Sequence, residues 1–269
     1  MIVLNPKTLS NFFDNYKRLL FLLFLAFSII SLGMIIFIDN DYYQGVSFKI
    51  MFIHVPAAWL SLMLFGIMGT VSIIGLVFKS PTSFIIARAI SPIGLLMSIT
   101  VLVTGSIWGY LTWGTFWVWD ARLTSMLILT FIYLGHLILL NSFEHFQKSD
   151  FAASILAVIG LVNLPVVKFS VNWWTTLHQG ASVFKIGGPS LSGIYLTTLM
   201  ISFFCILILY ILITYLKTNM NKVRNYTLHT QTHGPNCIKK KKKKFTYNCA
   251  ILTDSVIKNH IDDGDVKLF

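Results

Sequence analysis

The amino-acid sequence predicts an all-α integral membrane protein with about six transmembrane helices. Of its 269 residues, 55% are hydrophobic and only 12% are charged, whereas about a quarter of the residues in a soluble domain are charged. The apolar residues also fall into long runs, and about 20 of them in helical form are enough to cross a bilayer. These runs are too long and too uniformly apolar for the strands of a transmembrane barrel, so we expect helices.

Six apolar runs mark the predicted spans, at roughly 19–38, 52–78, 85–107, 123–141, 151–168 and 191–216. The first run has no small-residue cleavage site, which predicts an anchor that is retained. The fourth and fifth runs are short and contain polar residues, so their ends are poorly defined. The predicted organisation is an inner N-terminal segment (1–18), a membrane domain (19–216) and a basic inner tail (217–269) that we expect to be disordered.

The orientation of the spans is predicted by the basic residues that flank them. With the N-terminus inside, nine Lys and Arg residues fall on the inner side and four on the outer side, so both termini are predicted to be inside. The inner set is Lys7, Lys17, Arg18, Lys79, Arg88, Lys148, Lys217, Lys222 and Arg224, and the outer set is Lys49, Arg122, Lys168 and Lys185. We therefore read the net charge of +11 as an orientation signal and predict a lipid bilayer as the partner, with no nucleic acid.

The tryptophans are concentrated on the predicted outer side. Six of the seven lie in two outer loops, 108–122 and 169–190, and only Trp59 lies in a predicted helix. An interfacial aromatic belt would mark both faces of the membrane, whereas a one-sided cluster is typical of a platform for a large, flat, apolar ligand. Trp113, Trp117 and Trp119 share a face of the second of the three outer loops if that loop is extended, and Trp113 and Trp117 share one with Asp120 if it is helical. The sequence leaves both conformations open.

Two histidines belong to the same outer side. His54 lies at the outer start of the second span, and His178 lies in the third outer loop. Imidazole is a common axial ligand of haem iron. Zinc is the rival metal, but it requires three or four ligands, and these two histidines are 124 positions apart with no cysteine or acidic pair beside them. They are therefore the candidate axial ligands of a haem.

Two charged residues follow the tryptophans. Arg122 is the outer cation best placed to meet a haem propionate, because arginine binds carboxylates through two hydrogen bonds. It could equally orient the fourth helix or pair with Asp120. For Asp120 we expect a structural role, either capping the fourth helix or orienting a donor in the loop.

The segment from Trp113 to Ser125, which reads WGTFWVWDARLTS, resembles the tryptophan-rich signature of haem-handling membrane proteins. The segments HVPAAW (54–59), VNLP (162–165) and FSVNWWTTLHQ (169–179) are similar to the cytochrome c maturation protein C family in particular. The likeness covers about residues 50–216. Phe116 replaces a tryptophan found in many bacterial members, and Tyr110, Leu111 and Thr112 replace a stretch that often carries a lysine.

The resemblance implies that His54 and His178 are the axial ligands, and that Trp113, Trp117, Trp119 and Asp120 belong to a haem-binding loop. It also implies that haem b is bound transiently and passed to a membrane-anchored haem chaperone, beside the subunits of an ABC-type transporter. Ligation and transfer, not catalysis, are then the expected activity.

Three other functions remain to be weighed. A b-type electron-transfer cytochrome needs paired histidines within the bilayer, and only His136 lies well inside a span. A permease that never binds haem would have broken helices, and Pro92 and Pro165 are predicted to interrupt two spans. An enzyme is not expected, because the sequence contains no nucleophile–base pair and no glycine-rich phosphate loop. The residue usage, rich in Phe, Ile, Lys and Asn, favours the mitochondrial inner membrane over a bacterial plasma membrane.

Overall fold

The computed structural model describes residues 6–143, 146–178, 180, 182–183, 185 and 187–233. The described residues contain seven α-helices and no strand. Their bounds are α1 Pro6–Phe37, α2 Met51–Phe78, α3 Pro81–Trp113, α4 Ala121–Asn141, α5 Phe146–Gly160, α6 Asn163–Trp173 and α7 Gly193–His233. A short 3₁₀ helix, Val46–Ile50, leads into α2.

Six helical stretches are long and apolar enough to cross a membrane, which confirms the predicted multi-pass helical fold. Helices α5 and α6 together form the fifth stretch, Gln147–Trp173, which is longer at both ends than the predicted 151–168. The two helices are separated at Leu161 and Val162 because Pro165 has no N–H to donate to the Leu161 carbonyl. That carbonyl accepts from the Leu164 N–H instead, at 3.1 Å.

The predicted interruption at Pro165 is thus confirmed, but the one at Pro92 is wrong. Helix α3 passes through Pro92 and runs for 33 residues without a break. Helix α2 likewise contains Pro56. A proline deprives a helix of one hydrogen bond, and in these two helices that loss does not end the helix.

The described residues up to Thr214 form one compact unit, and its core is centred on α2. Leu60, Leu64, Phe65 and Met68 are fully buried there and belong to a cluster that includes Leu129 of α4. Tyr133 of α4 donates a hydrogen bond of 2.8 Å to the Ser61 carbonyl inside this core. Helices α2, α3 and α4 therefore form a fixed frame for the residues at their ends.

A second compact unit begins at Tyr215. Its residues up to His233 are helical, although the sequence predicts a disordered tail from residue 217. No glycine or proline occurs between Tyr215 and His233, and Gly234 and Pro235 follow directly. The rest of the predicted tail, including the lysine block at 239–244, lies outside the described residues.

Candidate functional site

A cavity of about 370 Å³ lies between helices α2, α3, α4, α6 and α7 and the loops that join them, and it receives both candidate histidines. His54 enters from the first turn of α2, and His178 from the loop that follows α6. We call this the histidine cavity. Its lining is mainly apolar with a few polar groups, which is the usual character of a ligand pocket. The lining residues used below are His54, Gly105, Trp108, Trp113, Trp117, Arg122, Lys168 and His178.

The ring of His54 is held by α3. Its Nδ1 lies 3.0 Å from the Thr104 hydroxyl oxygen, and that hydroxyl lies 2.6 Å from the Thr100 carbonyl. A carbonyl only accepts hydrogen bonds, so the Thr104 hydroxyl must donate its proton to the Thr100 carbonyl and accept from His54 Nδ1–H. The assigned tautomer therefore leaves a lone pair on Nε2, which is the form that ligates a metal.

Two further residues of α3 determine where the His54 ring fits. A Cβ atom on Gly105 would lie only 2.9 Å from His54 Cε1, so this close approach requires glycine. The indole of Trp108 meets the imidazole edge to face, with the ring centroids 5.8 Å apart. Trp108 in turn donates a 2.8 Å hydrogen bond from Nε1 to the side chain of Gln44.

His178 is held in a similar way by a different partner. Its Nδ1 lies 3.1 Å from Asp120 Oδ2, and its ring packs edge to face on Trp113 at 5.0 Å. Burial lowers the pKa of the His178 imidazole, an effect that the Asp120 carboxylate opposes. The ring is therefore neutral at neutral pH, with Nδ1–H donating to Asp120 and Nε2 left as a lone-pair donor.

Asp120 has both of the structural roles that the sequence predicts for it. Its Oδ1 accepts a 2.7 Å hydrogen bond from the Leu123 N–H and so caps α4, while its Oδ2 faces His178. The residue is 9% exposed and does not line the histidine cavity. The structure thus places Asp120 behind His178, where it fixes the imidazole.

The tryptophan-rich loop is shorter than the predicted 108–122. Helix α3 extends to Trp113 and is capped by Gly114, whose φ of 75° is left-handed and whose N–H donates to the Tyr110 carbonyl at 3.0 Å. Trp108 and Trp113 therefore lie on a helix, as does Trp173 of α6, whereas the sequence predicts only Trp59 in one. Residues 114–120 belong to no helix, so the helical alternative does not hold for this part of the loop. They pair in no strand either, although Asp120 at their end has an extended backbone.

The two tryptophans of this loop differ in position. Trp117 lines the histidine cavity, and its indole N–H is buried without a hydrogen-bond acceptor in the part of the chain that the structure describes. Trp119 is 77% exposed, lies outside the cavity lining and packs edge to face on Trp117 at 5.5 Å. Trp117 thus has direct access to a ligand, and Trp119 supports it from outside.

Of the four predicted outer cations, two reach the cavity. Arg122 lies in the first turn of α4 rather than in the loop, and it lines the cavity beside Lys168. Its guanidinium donates to the Lys168 carbonyl at 3.3 Å and to the Ser170 hydroxyl at 3.5 Å. Lys49 instead bonds the Ile36 carbonyl, and Lys185 is not among the lining residues.

Sequence reasoning missed Lys168 as a cavity residue, and it missed the roles of Thr104 and Gly105. Lys168 sits five residues before Trp173, which is the only sequence signal that would single it out. Thr104 precedes Trp108 by four residues and so shares its helix face. That spacing acquires meaning only once Trp108 is known to be helical, because the predicted third span ends at 107.

The donor set limits the metals that the cavity can hold. Among the described residues, no group of three or more His, Cys, Asp or Glu side chains is arranged to bind a metal ion. Two imidazoles suit an iron whose other four positions are filled by a porphyrin. His136 lies away from the cavity lining, and its ring is buried against the Ser91 hydroxyl at 3.0 Å.

The sequence also matches a known protein family. The family model described as "Heme exporter protein C" matches residues 1–233. "Heme exporter protein C" of Haemophilus influenzae is 41% identical over 204 residues, which cover 75% of this chain and 83% of that protein. The protein of the same name from Bradyrhizobium diazoefficiens is 48% identical over 162 residues, covering 60% of this chain and 62% of its own.

A plant relative carries a related name. The "putative cytochrome c biosynthesis ccmC-like mitochondrial protein" of Marchantia polymorpha is 48% identical over 148 residues, covering 55% of this chain and 62% of that protein. This chain therefore spans about six tenths of the length of the Bradyrhizobium and Marchantia relatives.

Proposed function

The chain belongs to the heme exporter protein C family, and on that premise we propose that it binds haem b in the histidine cavity and hands it on for the biogenesis of c-type cytochromes. His54 and His178 serve as the two axial ligands of the iron. The recipient is a membrane-anchored haem chaperone, and the neighbouring partners are subunits of an ABC-type transporter. The membrane is the mitochondrial inner membrane.

One observation carries the proposal. Two imidazoles from separate segments enter a single cavity, and each has its Nδ1 occupied by an acceptor, so that each offers Nε2 as a lone pair. A buried histidine with a purely structural role needs only a hydrogen-bond partner for its ring, which Thr104 or Asp120 already supplies. Such a role does not explain a second histidine in the same cavity. This pairing, walled by indoles, fits a flat apolar macrocycle with a metal at its centre.

The charges of the cavity fit the rest of the ligand. Haem carries two propionates, and Arg122 and Lys168 supply two cations at the lining. The buried Trp117 N–H, which finds no acceptor among the described residues, is a further donor for a carboxylate oxygen. A buried donor without a partner is costly, so a ligand that supplies an acceptor there gains from it.

The mechanism is coordination and release. Haem is held by two metal–nitrogen bonds and by contacts with indoles, all of which are reversible. No covalent bond to this chain is needed, and a chaperone that offers a competing ligand can draw the haem away. The chain's residues bind, orient and shield the cargo, and no bond of the porphyrin is changed.

The test is to replace each histidine in turn. In His54→Ala and His178→Ala, purified in detergent and supplied with haem, we expect the low-spin six-coordinate spectrum to give way to a five-coordinate one or to be lost. His229→Ala, which changes a histidine after the last membrane span, is the control and should keep the wild-type spectrum. Capture of a haem chaperone by the wild type, and its loss in both cavity variants, would support transfer.

Two outcomes would reject the proposal. If both cavity variants keep a six-coordinate spectrum, the ligands lie elsewhere, and a stable redox-active haem in them would favour a b-type cytochrome. If the wild type binds no haem at all, a haem-independent permease becomes the better reading.

A further inference from the structure

We propose that the two axial histidines are unequal ligands, and that His54 is the one that leaves the iron first when haem is exchanged. This inference rests on the proposed haem binding. It adds an order of ligand release to that function. It follows from the hydrogen-bond acceptor that each imidazole has at its Nδ1.

His178 has a charged acceptor behind it. Its Nδ1–H points at Asp120 Oδ2, 3.1 Å away, and Asp120 is almost fully buried. A carboxylate that accepts from the far nitrogen draws the proton toward itself and raises electron density on Nε2. Charge-assisted hydrogen bonds are also the stronger kind. His178 is therefore the better electron donor to a metal.

Among the described residues, His54 has neutral acceptors behind it, namely the Thr104 hydroxyl and the Val101 carbonyl. The Thr104 hydroxyl lies 3.0 Å from its Nδ1 and carries no charge. Its own proton is committed to the Thr100 carbonyl at 2.6 Å, so it remains a fixed, neutral acceptor. This arrangement orients the His54 ring without making it as basic as His178.

The position of the two histidines in the fold does not reverse this order. His54 belongs to the continuous helix α2, and its ring contacts Gly105 and Trp108 of α3. The ring therefore stays in place when the metal bond breaks. His178 lies on an irregular loop, but Asp120 ties it to the N-terminus of α4. Both rings are therefore held in place, and the order of release depends on the acceptor behind each ring.

Carbon monoxide is the probe that reports which ligand leaves. Ferrous haem with two imidazoles exchanges its weaker ligand for CO, and the Fe–CO stretching frequency depends on the ligand on the opposite side. We expect the CO adduct of the wild type to match that of His54→Ala, because His178 is retained in both, and to differ from that of His178→Ala.

The same variants can contradict the proposal. A wild-type adduct that matches His178→Ala reverses the order of release. Equal frequencies in the two single variants, or a wild-type mixture of both forms, would show that the ligands are equivalent. If only one variant retains haem, retention by His54→Ala agrees with the proposal and retention by His178→Ala overturns it.

Thr104 provides a second test that keeps both histidines. Thr104→Val removes the hydroxyl that accepts from His54 Nδ1–H, at nearly constant volume. We expect CO to displace His54 at least about tenfold faster, the lower end of the usual cost of losing such a partner. Thr104→Ser should restore the wild-type rate. Thr100→Val is the matched control, because Thr100 lies one turn earlier, donates its hydroxyl proton to the Leu96 carbonyl and keeps its own carbonyl for Thr104.

An unchanged rate in Thr104→Val, or an equal acceleration in Thr100→Val, would refute the role of Thr104. Failure of the proposed function looks different. In that case the wild type lacks a six-coordinate spectrum before any CO is added.

Discussion

At the scale of single residues, Asp120 illustrates how one side chain serves both the fold and the site. One carboxylate oxygen caps α4, and the other holds the Nδ1–H of His178. Because a carboxylate has two acceptors and no donor, it satisfies two N–H groups at once. An amide in the same place has one acceptor and one donor, and that difference allows the two roles to be separated.

In Asp120→Asn, the amide oxygen can still cap α4, since asparagine and aspartate are similar N-caps. Its NH₂ group then faces His178, which must accept with Nδ1 and carry its proton on Nε2. We expect haem affinity to fall by about 10–100-fold while the midpoint of thermal unfolding changes little. Haem titration followed at the Soret band, with melting of the haem-free protein, checks both.

The alternative outcome is equally specific. Unchanged haem affinity in Asp120→Asn would mean that His178 does not depend on its carboxylate partner, and the ligand role of His178 would lose its main support. Asp120→Ala is the comparison, because it removes the cap as well and should lower the unfolding midpoint too.

How far the sequence predicts these residues depends on what each one does. His54 and His178 are predicted by residue type and by side of the membrane, and the structure brings them into one cavity. Thr104 and Gly105 are not predictable in this way, because their roles arise from the contact of α2 with α3. A threonine in an apolar span usually bonds its own helix, and only tertiary packing shows that this one also accepts from a histidine.

At the scale of helices, the sequence predicts which segments cross the membrane but not where each helix ends. Hydropathy falls at Trp108, so the prediction ends the third span at 107. The helix nevertheless continues to Trp113, because only Gly114 adopts the left-handed conformation that stops it. Those extra turns carry Trp108 and Trp113 to the two histidines. An aromatic helix end is thus misread as a loop.

The contact between the His54 ring and helix α3 gives a prediction at the scale of helices. In Gly105→Ala, the new Cβ would lie 2.9 Å from His54 Cε1, so the ring must move. Overpacking costs about 1–3 kcal/mol, and the helix propensity of alanine returns about 1 kcal/mol. We therefore expect a net destabilisation of about 0–2 kcal/mol and a lower six-coordinate fraction in the haem spectrum.

Gly33→Ala is the matched control for Gly105→Ala. Gly33 also lies within a helix, and its added Cβ would meet nothing within 4 Å. It should gain the same helix propensity and keep the wild-type haem spectrum. If Gly105→Ala binds haem as Gly33→Ala does, the close approach of His54 to α3 is not needed for ligation.

At the scale of the whole molecule, the cavity depends on the alternation of the spans. His54 begins α2, Trp113 ends α3, Asp120 precedes α4 and His178 follows α6. Helices that cross a membrane in alternate directions bring these ends to the same face. The distribution of Lys and Arg predicts that this face is the outer one, with both termini inside, and that orientation stays a prediction.

The orientation can be tested with single cysteines in a chain whose three native cysteines are replaced by serine. Tyr42→Cys reports the cavity end, because Tyr42 is 91% exposed and lies in the segment between α1 and α2. Ser142→Cys reports the opposite end, just after α4. We expect a membrane-impermeant maleimide, applied from outside to sealed mitoplasts or cells, to label Tyr42→Cys at once and Ser142→Cys only after permeabilisation. The reverse pattern would place both histidines on the inner side. Haem would then have to be delivered and collected there, which would contradict transfer to a chaperone on the outer side.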